Sequence, residues 1–417
     1  MTAALVCAAC QRRRPATSPD VECDCGGLFD VETGAVARRG RALRRLFDDR
    51  LGHDPAGQGS GVWRFRELVL PGRGVIVSHP EGNTPLYRRP ALSAWAGLDD
   101  LALKHEGENP TGSFKDRGMT VAVTQAARAG ATAVACASTG NTSASMAAYA
   151  SQAGLPALVF VPAGKVAAGK LAQALAYGAR TLMVKGDFDA CLRLVREASR
   201  QLGITLLNSV NPWRIEGQKT IIFELLQQRG WQPPDWIVVP AGNLGNTAAF
   251  GKALREARQL GLIRRLPRLA AVQARGANPF YRSFRAGFRR RFQVQAETVA
   301  TAIRIGDPAS HERAVRTISE TRGLVAQVAD AQILEAKAAV DRAGIGCEPA
   351  SAAAVAGVRQ LVRAGTIQPG EAVVAILTGH LLKDPQTVID FHLGGGRHAN
   401  PPVEIEPSVQ AVARLLR

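Results

Sequence analysis

Trp236-Ile237-Val238-Val239-Pro240-Ala241-Gly242-Asn243-Leu244-Gly245-Asn246 holds the pattern on which the fold turns. An apolar, β-branched run gives way to two glycines and two asparagines, and a helical stretch opens near Thr247. A short continuous apolar run predicts a strand covered on both faces, the usual setting of a parallel sheet. Glycine lets backbone approach an anion closely, and the free N–H groups at a helix start favour a phosphate. The loop is not a Walker loop, because no Gly-Lys-Ser/Thr follows, and a full GxGxxG is absent. The residues alone leave two readings open, a plain strand–helix turn and a phosphate cradle.

The same alternation extends outward from about Leu101. Thr132–Cys136, Ala157–Val161, Thr181–Val184, Ile204–Leu207 and Ala372–Leu377 predict buried strands, while Ala144–Ala153 and Ala190–Gln201 predict helices. Alternating βα units imply an α/β protein with parallel sheets and helices on both faces. Ligands of such sheets bind beyond the C-terminal ends of strands, so the loops there carry the chemistry. One of them, Ser138-Thr139-Gly140-Asn141-Thr142-Ser143, offers donors for a carboxylate or an elaborate helix cap. A turn-rich segment, Glu108 to Arg117, leads into a helix and contains Lys115. Such a lysine is either solvated or, if desolvated or set beside positive charge, a neutral nucleophile.

At 417 residues and 46% hydrophobic, the chain can bury two α/β cores and a small appendage. No apolar run nears the roughly 20 residues that span a bilayer, so no membrane partner is expected. The apolar patch Met1 to Ala9 precedes Arg12–Arg14, the reverse of a secretory signal. Seven cysteines, an odd number, argue for a reducing, cytoplasmic home. The net charge of +17 is spread widely, clustering only at Arg12–Arg14, Arg38–Arg45 and Arg285–Arg291. With aromatics at 5%, stacking platforms are lacking, and no nucleic-acid partner is expected. The basic surface instead suits anionic substrates.

The first 35 or so residues stand apart. Cys7-x-x-Cys10 and Cys23-x-Cys25, followed by Gly26-Gly27, form either a tetrahedral zinc site or an incidental set of thiols. A helix over about Val36 to Leu51 and a Gly-rich connector, Gly52 to Gly61, come next. Cys136, Cys191 and Cys347 read as small buried hydrophobes.

Taken in order, these segments resemble the pyridoxal-phosphate (PLP) enzymes of fold type II, and the threonine synthase group in particular. The resemblance runs from Glu81-Gly82-Asn83-Thr84-Pro85-Leu86 to Thr378-Gly379-His380-Leu381-Leu382-Lys383-Asp384-Pro385. Asn208-Ser209-Val210-Asn211-Pro212-Trp213-Arg214 and Ala302–Ser310 point to threonine synthase over threonine dehydratase or cystathionine β-synthase. A two-domain fold is implied, with 36–120 and 212–417 as the PLP-binding domain and 121–211 as a smaller mobile one. Residues 1–35 resemble the ribbon-like leader on many threonine synthases, where Cys7, Cys10, Cys23 and Cys25 would hold structural zinc.

By resemblance, Lys115 would carry the cofactor as a Schiff base and move protons at Cα and Cβ. Gly242, Asn243, Leu244, Gly245 and Asn246 would hold its phosphate, Asn141 its phenolic oxygen, and Thr378 would face the pyridine nitrogen. Ser138, Thr139 and Thr142 would take the substrate carboxylate. Lys170, Asn208, Ser209 and Arg214 would receive the phosphate of O-phospho-L-homoserine. The implied reaction yields L-threonine and phosphate in a cytoplasmic homodimer. Leu381 stands where the family commonly has glycine, which keeps a second reading: a fold type II paralogue such as threonine dehydratase or a cysteate-synthase-like enzyme.

Overall fold

The computed structural model describes residues 3–57, 59–164, 168–395 and 398–416, leaving the side chains of 168–170 outside the description. Residues up to Lys383 form one compact unit, and 384–417 form another, with the helices Pro385–Leu393 and Val409–Leu415.

Strands β1 (Ala4–Cys7), β2 (Arg13–Pro15) and β3 (Phe29–Glu32) make a small antiparallel sheet with β1 in the middle. A larger sheet opens with β4 (Leu86–Arg88) and β5 (Leu101–His105), then is interrupted. The interruption is a second sheet of β6 (Val134–Ala137), β7 (Ala157–Pro162), β8 (Arg180–Val184) and β9 (Thr205–Leu206). Its order is β8-β7-β6-β9, and every pairing is parallel. The chain then returns to the first sheet with β10 (Trp236–Pro240), β11 (Arg268–Ala274), β12 (Leu324–Val328) and β13 (Val373–Leu377). The completed order is β12-β11-β10-β13-β5-β4, parallel except for the edge pair β4 and β5.

The apolar runs become strands because both faces are covered: every residue of β5, β10 and β13 is buried. The Ala-rich helix Pro349–Arg363 provides one cover, with Pro349 through Val358 buried. It lies so near the sheet that a Cβ at Gly357 would stand 2.5 Å from a Val272 methyl. Alanine and glycine there allow this close approach, since an added methylene in a packed core costs about 1–3 kcal/mol. Among the described residues, no helix is long and apolar enough to cross a membrane.

The segment expected as a connector, Gly52 to Gly61, is instead built into the core at its end. Ser60 and Gly61 are buried, and the Ser60 hydroxyl accepts from the backbone N–H groups of Val62 and Trp63. A Cβ on Gly61 would meet the Asn83 amide nitrogen at 2.4 Å, so the glycine marks a crossing of two backbones. Behind it, Trp63 is fully buried and donates to Thr120 Oγ1 at 2.8 Å.

The small sheet is tied to the body by distant residues. Lys252 Nζ donates to the Val31 carbonyl at 2.6 Å, and Arg313 donates to the Phe29 carbonyl. Leu5, Phe29 and Val31 pack into the main hydrophobic core.

A buried ionic network joins β5 to the helix Lys115–Arg128. Arg117 Nε meets Glu106 Oε2 at 2.6 Å, and its Nη2 meets Glu224 Oε1 at 2.7 Å. Glu224 also binds Lys104 Nζ at 2.6 Å and Arg64 Nη2 at 3.2 Å, and accepts from the Asn83 and Thr84 amides. Burial by itself raises the Glu224 pKa, but Arg117, Lys104 and Arg64 outweigh it and hold the carboxyl far below the usual carboxylate range. A depressed carboxylate contributes stability that is present above its unfolded pKa and lost as pH falls. Glu224→Gln should therefore lower the unfolding free energy near neutral pH by about 3–5 kcal/mol. Urea melts at several pH values check this: the gap between parent and variant should narrow as the solution is acidified.

Candidate active site

The loops after β6, β10 and β13 converge with the start of the helix Lys115–Arg128. Before that helix, the turn from Asn109 to Phe114 is stitched to the end of β13: Phe114 N–H donates to the Thr378 carbonyl at 2.9 Å, and His380 N–H to the Gly112 carbonyl at 2.9 Å. Asp116, fully buried, accepts from the Thr111 amide at 2.7 Å and hydroxyl at 2.6 Å. These bonds fix Lys115 as the first helical residue, its Nζ 4.3 Å from the Phe114 ring centre.

Lys115 keeps partial solvent contact, but its amine is crowded by protein. Burial first, and then the positive charge of Arg214, bring its pKa down to about 7 against the pull of Glu348. A neutral amine at physiological pH is what a lysine nucleophile or base requires.

Arg214, on the helix Pro212–Gln218, is 1% exposed. Its Nη1 donates to the Leu207 carbonyl at 3.1 Å, while Nε and Nη2 have no partner among the described residues. Burial lowers its pKa to about 10, so it stays charged. A buried guanidinium with two unpaired donor groups fits an anion. Of the residues grouped with it by resemblance, Ser209 accepts from Asn243 Nδ2 at 2.6 Å. The Asn208 amide is spent on structure: Oδ1 accepts from Ala137 N–H and Nδ2 donates to the Ala137 carbonyl, both at 3.0 Å. Lys170 lies in the helix Ala168–Ala176, and its side chain is outside the described residues.

After β10 the chain passes Gly242 and Asn243 and enters the helix Gly245–Gln259 through Leu244 at φ +63°, a left-handed conformation rare for leucine. A Cβ at Gly242 would lie 2.9 Å from the Ile303 Cα, so only glycine fits. Asn243 pins the loop, its Oδ1 accepting from Ala309 N–H at 2.7 Å. No side chain caps this helix, and Asn246 Oδ1, Thr247 Oγ1 and Gln218 Oε1 are buried without partners among the described residues. Uncapped N–H groups beside orphaned polar atoms fit a phosphate rather than a plain turn.

After β6, Ser138, Thr139 and Thr142 are half-buried around the start of the helix Asn141–Gln152. Its N-cap is Gly140, with no side-chain cap bond on the helix itself, while Ser138 Oγ accepts from the Gly140 N–H at 3.3 Å. Asn141 Nδ2 donates to Glu348 Oε2 at 3.1 Å, and Thr378 Oγ1 stands 3.1 Å from Glu348 Oε1. Asn141 and Thr378, 237 positions apart in numbering, thus meet on one buried carboxyl. Leu381 turns toward Gly346, where a Cβ would be 2.6 Å from its Cδ2. It is Gly346, at φ +74°, that makes room for the leucine.

Asp116 and Lys383 had no role in the sequence reading, and Arg214 no part beside Lys115. Lys383, its pKa lowered by burial, is hydrogen-bonded to Gln173, which also donates to the Thr111 carbonyl. No spacing signals such contacts, because they join distant segments.

Outside this site, the Cys7, Cys10, Cys23 and Cys25 sulfurs lie within 4.8 Å of one another. Four thiols at this separation suit a tetrahedral S4 ion. Cys136, Cys191 and Cys347 are buried, and burial pushes the Cys136 thiol up to about 12, so it is inert.

Residues 77–379 match the family described as pyridoxal-phosphate dependent enzyme. The chain is similar to the threonine synthase of Methanosarcina acetivorans, 51% identical over 85% of this chain and 86% of that one. Against the threonine synthase of Methanocaldococcus jannaschii it is 43% identical over 95% of each. The crystal structure of Escherichia coli threonine synthase superposes with TM-score 0.72 at 19% identity, covering 99% of this chain and 94% of that one. Threonine deaminase isoform 2 of Solanum lycopersicum, in its processed form, gives 0.65 at 20%, over 87% and 96%, a likeness of fold.

The lowered pKa of Lys115 has a measurable sign. Between about pH 7 and the ordinary lysine value, the unfolded chain binds a proton that the folded apoprotein does not, so stability rises with pH. Lys115→Met removes this contribution. In thermal melts of the two apoproteins, the variant should be the more stable near neutral pH, and the difference should shrink as the solution becomes alkaline.

Proposed function

Since the chain belongs to the pyridoxal-phosphate dependent enzymes, and among them to the threonine synthases, we propose that it converts O-phospho-L-homoserine and water into L-threonine and phosphate. The observation that carries the substrate is Arg214: a buried cation with unpaired donors, next to a lysine whose pKa is brought down to about 7. A phosphate dianion satisfies those donors and offsets the charge.

The cradle at Gly242, Asn243, Leu244, Gly245 and Asn246 would hold the cofactor phosphate on main-chain N–H groups, with Asn141 at the phenolic oxygen and Thr378 at the ring nitrogen. When bound, PLP supplies an aldehyde for the substrate amine and a sink for the electrons released at Cα. Ser138, Thr139 and Thr142 orient the substrate carboxylate. Ser209 and Arg214 bind the substrate phosphate, with Lys170 brought to the same anion and Asn208 bracing the loop through Ala137.

Lys115 Nζ takes the proton from Cα, which would pass on to the bound cofactor, and then takes one from Cβ as phosphate leaves from Cγ with the bonding electrons. The Cβ proton goes to Cγ, water gives its hydroxyl to Cβ and its proton to the departing phosphate, and Lys115 returns a proton to Cα. One amine serving several transfers needs water held off, and we assign that task to movement of the part built on β6 to β9, within 121–211, against 36–120 and 212–417.

The reading extends to a structural Zn²⁺ on Cys7, Cys10, Cys23 and Cys25, to a homodimer, and to a cytoplasmic home without nucleic-acid partners. The sulfur spacing supports the first, and the uneven cysteine count supports a reducing compartment.

Two measurements test this. Protein supplied with PLP and O-phospho-L-homoserine should release phosphate and threonine in equal amounts; bound cofactor with no phosphate release would overturn the substrate. Elemental analysis should find about one zinc per chain. Cys23→Ser should lose that zinc and lower the melting temperature, whereas metal-free protein from zinc-supplied cells would remove zinc from the account.

A further inference from the structure

Glu348 is the N-cap residue of the helix Pro349–Arg363 and is 4% exposed. Its carboxyl touches both Asn141 and Thr378, the side chains assigned above to the phenolic oxygen and the ring nitrogen of the cofactor. The fit is tight, because a Cβ on Gly379 would lie 2.5 Å from the Glu348 Cδ. The main chain holds it too, Glu348 N–H donating to the Gly379 carbonyl at 3.0 Å.

The hydrogen bonds around Thr378 have a forced direction. Ser351 Oγ accepts from Thr378 N–H at 2.8 Å and from Gly379 N–H at 3.0 Å, which fills both lone pairs. Its own proton then goes to Thr378 Oγ1 at 3.0 Å, the nearer of its two acceptors, since the Gly379 carbonyl stands at 3.5 Å and already accepts from Glu348 N–H. Thr378 has a single proton left to place. If Glu348 is ionised, that proton goes to Oε1, and Thr378 can only accept from any third partner. If Glu348 is protonated on Oε1, the carboxyl donates to Thr378, and the threonine proton is free for the third partner.

We propose that Glu348 is a positioning residue which decides whether Thr378 donates to or accepts from the ring nitrogen of the cofactor, while anchoring Asn141 for the phenolic oxygen. This rests on the cofactor placement proposed above. A neutral hydroxyl thereby gains control over ring protonation that would otherwise need a carboxylate in contact. The groups facing Glu348 are Asn141, Thr378, Lys115, Lys383 and Cys347. Burial dominates among these influences and raises the carboxyl's pKa, which favours the neutral form and the donating Thr378.

Glu348→Gln is the discriminating variant. Its amide can accept from Asn141 and donate to Thr378 at every pH, a fixed copy of the protonated acid. Holoenzyme loaded with PLP labelled with ¹⁵N in the ring reports the hydrogen-bonding and protonation of that nitrogen by NMR. In the parent, the resonance should move as pH rises through the Glu348 titration; in E348Q it should stay put, with cofactor affinity within about threefold of the parent. Glu348→Ala should lose at least about tenfold in cofactor affinity, because both anchors go. A pH response in E348Q equal to the parent's, or parent-like affinity in E348A, would overturn the proposal. If E348A fails to fold, E348Q decides alone. The NMR readout needs only bound cofactor, so failure with O-phospho-L-homoserine would fell the substrate reading and leave this one standing.

Discussion

The site depends on an ionic knot two residues past its lysine. Arg117 is fully buried and grips Glu106, just beyond β5, together with Glu224 of the helix Thr220–Gln228. Taking such charges out of water costs several kcal/mol each, and only saturated hydrogen bonding offsets that. Saturation is supplied by Lys104, Arg64, Thr84 and the amides of Asn83 and Thr84. The partners come from five stretches of chain, at Arg64, Asn83–Thr84, Lys104–Glu106, Arg117 and Glu224, so the knot forms only when those stretches are correctly placed. Lys115 inherits that accuracy, since its helix cannot shift without breaking the Arg117 contacts.

Around this fixed start, the two parallel sheets divide the labour. The four-stranded sheet presents Ser138, Thr139 and Asn141 after β6. The six-stranded sheet presents the glycine loop after β10 and Thr378 after β13. All of these loops lie at C-terminal strand ends, where neighbouring helix starts add their partial positive charge. The helices beginning at Asn141 and Gly245 have no side-chain cap at their N-termini. Ser or Asp is the usual partner of such N–H groups, and its absence there is the electrostatic counterpart of the uncompensated Arg214.

Much of this was legible in the sequence, and the limits are physical. Strands β10 and β13 were plain because uninterrupted Val, Ile and Leu have no other comfortable setting, and the turns after them were marked by glycine and Thr378. Strand β11 was passed over: Arg-Leu-Ala-Ala-Val-Gln-Ala has the alanine content of a helix, and its partners β10 and β12 decide the matter. Gly52 to Gly61 looked like a linker because composition cannot distinguish a flexible glycine from one at a backbone crossing. The likeness to a known family named candidate site residues, but not the use of each. Asn208 braces Ala137, and Glu348 joins Asn141 to Thr378, because hydrogen bonds 71, 207 and 30 positions long leave no local pattern.

The tethers of the small sheet bear on how the chain is made. Val31 waits for Lys252, 221 positions later, and Phe29 for Arg313, 284 positions later. Chains emerge from the ribosome N-terminus first, at about 5–20 residues per second. The thiols of Cys7 and Cys23, buried in the finished molecule, are therefore born long before their cover and spend most of translation facing the cell's solvent. The earliest-made part of the molecule is the last to be docked, and it passes that interval with Leu5, Phe29 and Val31 short of the core they finally join.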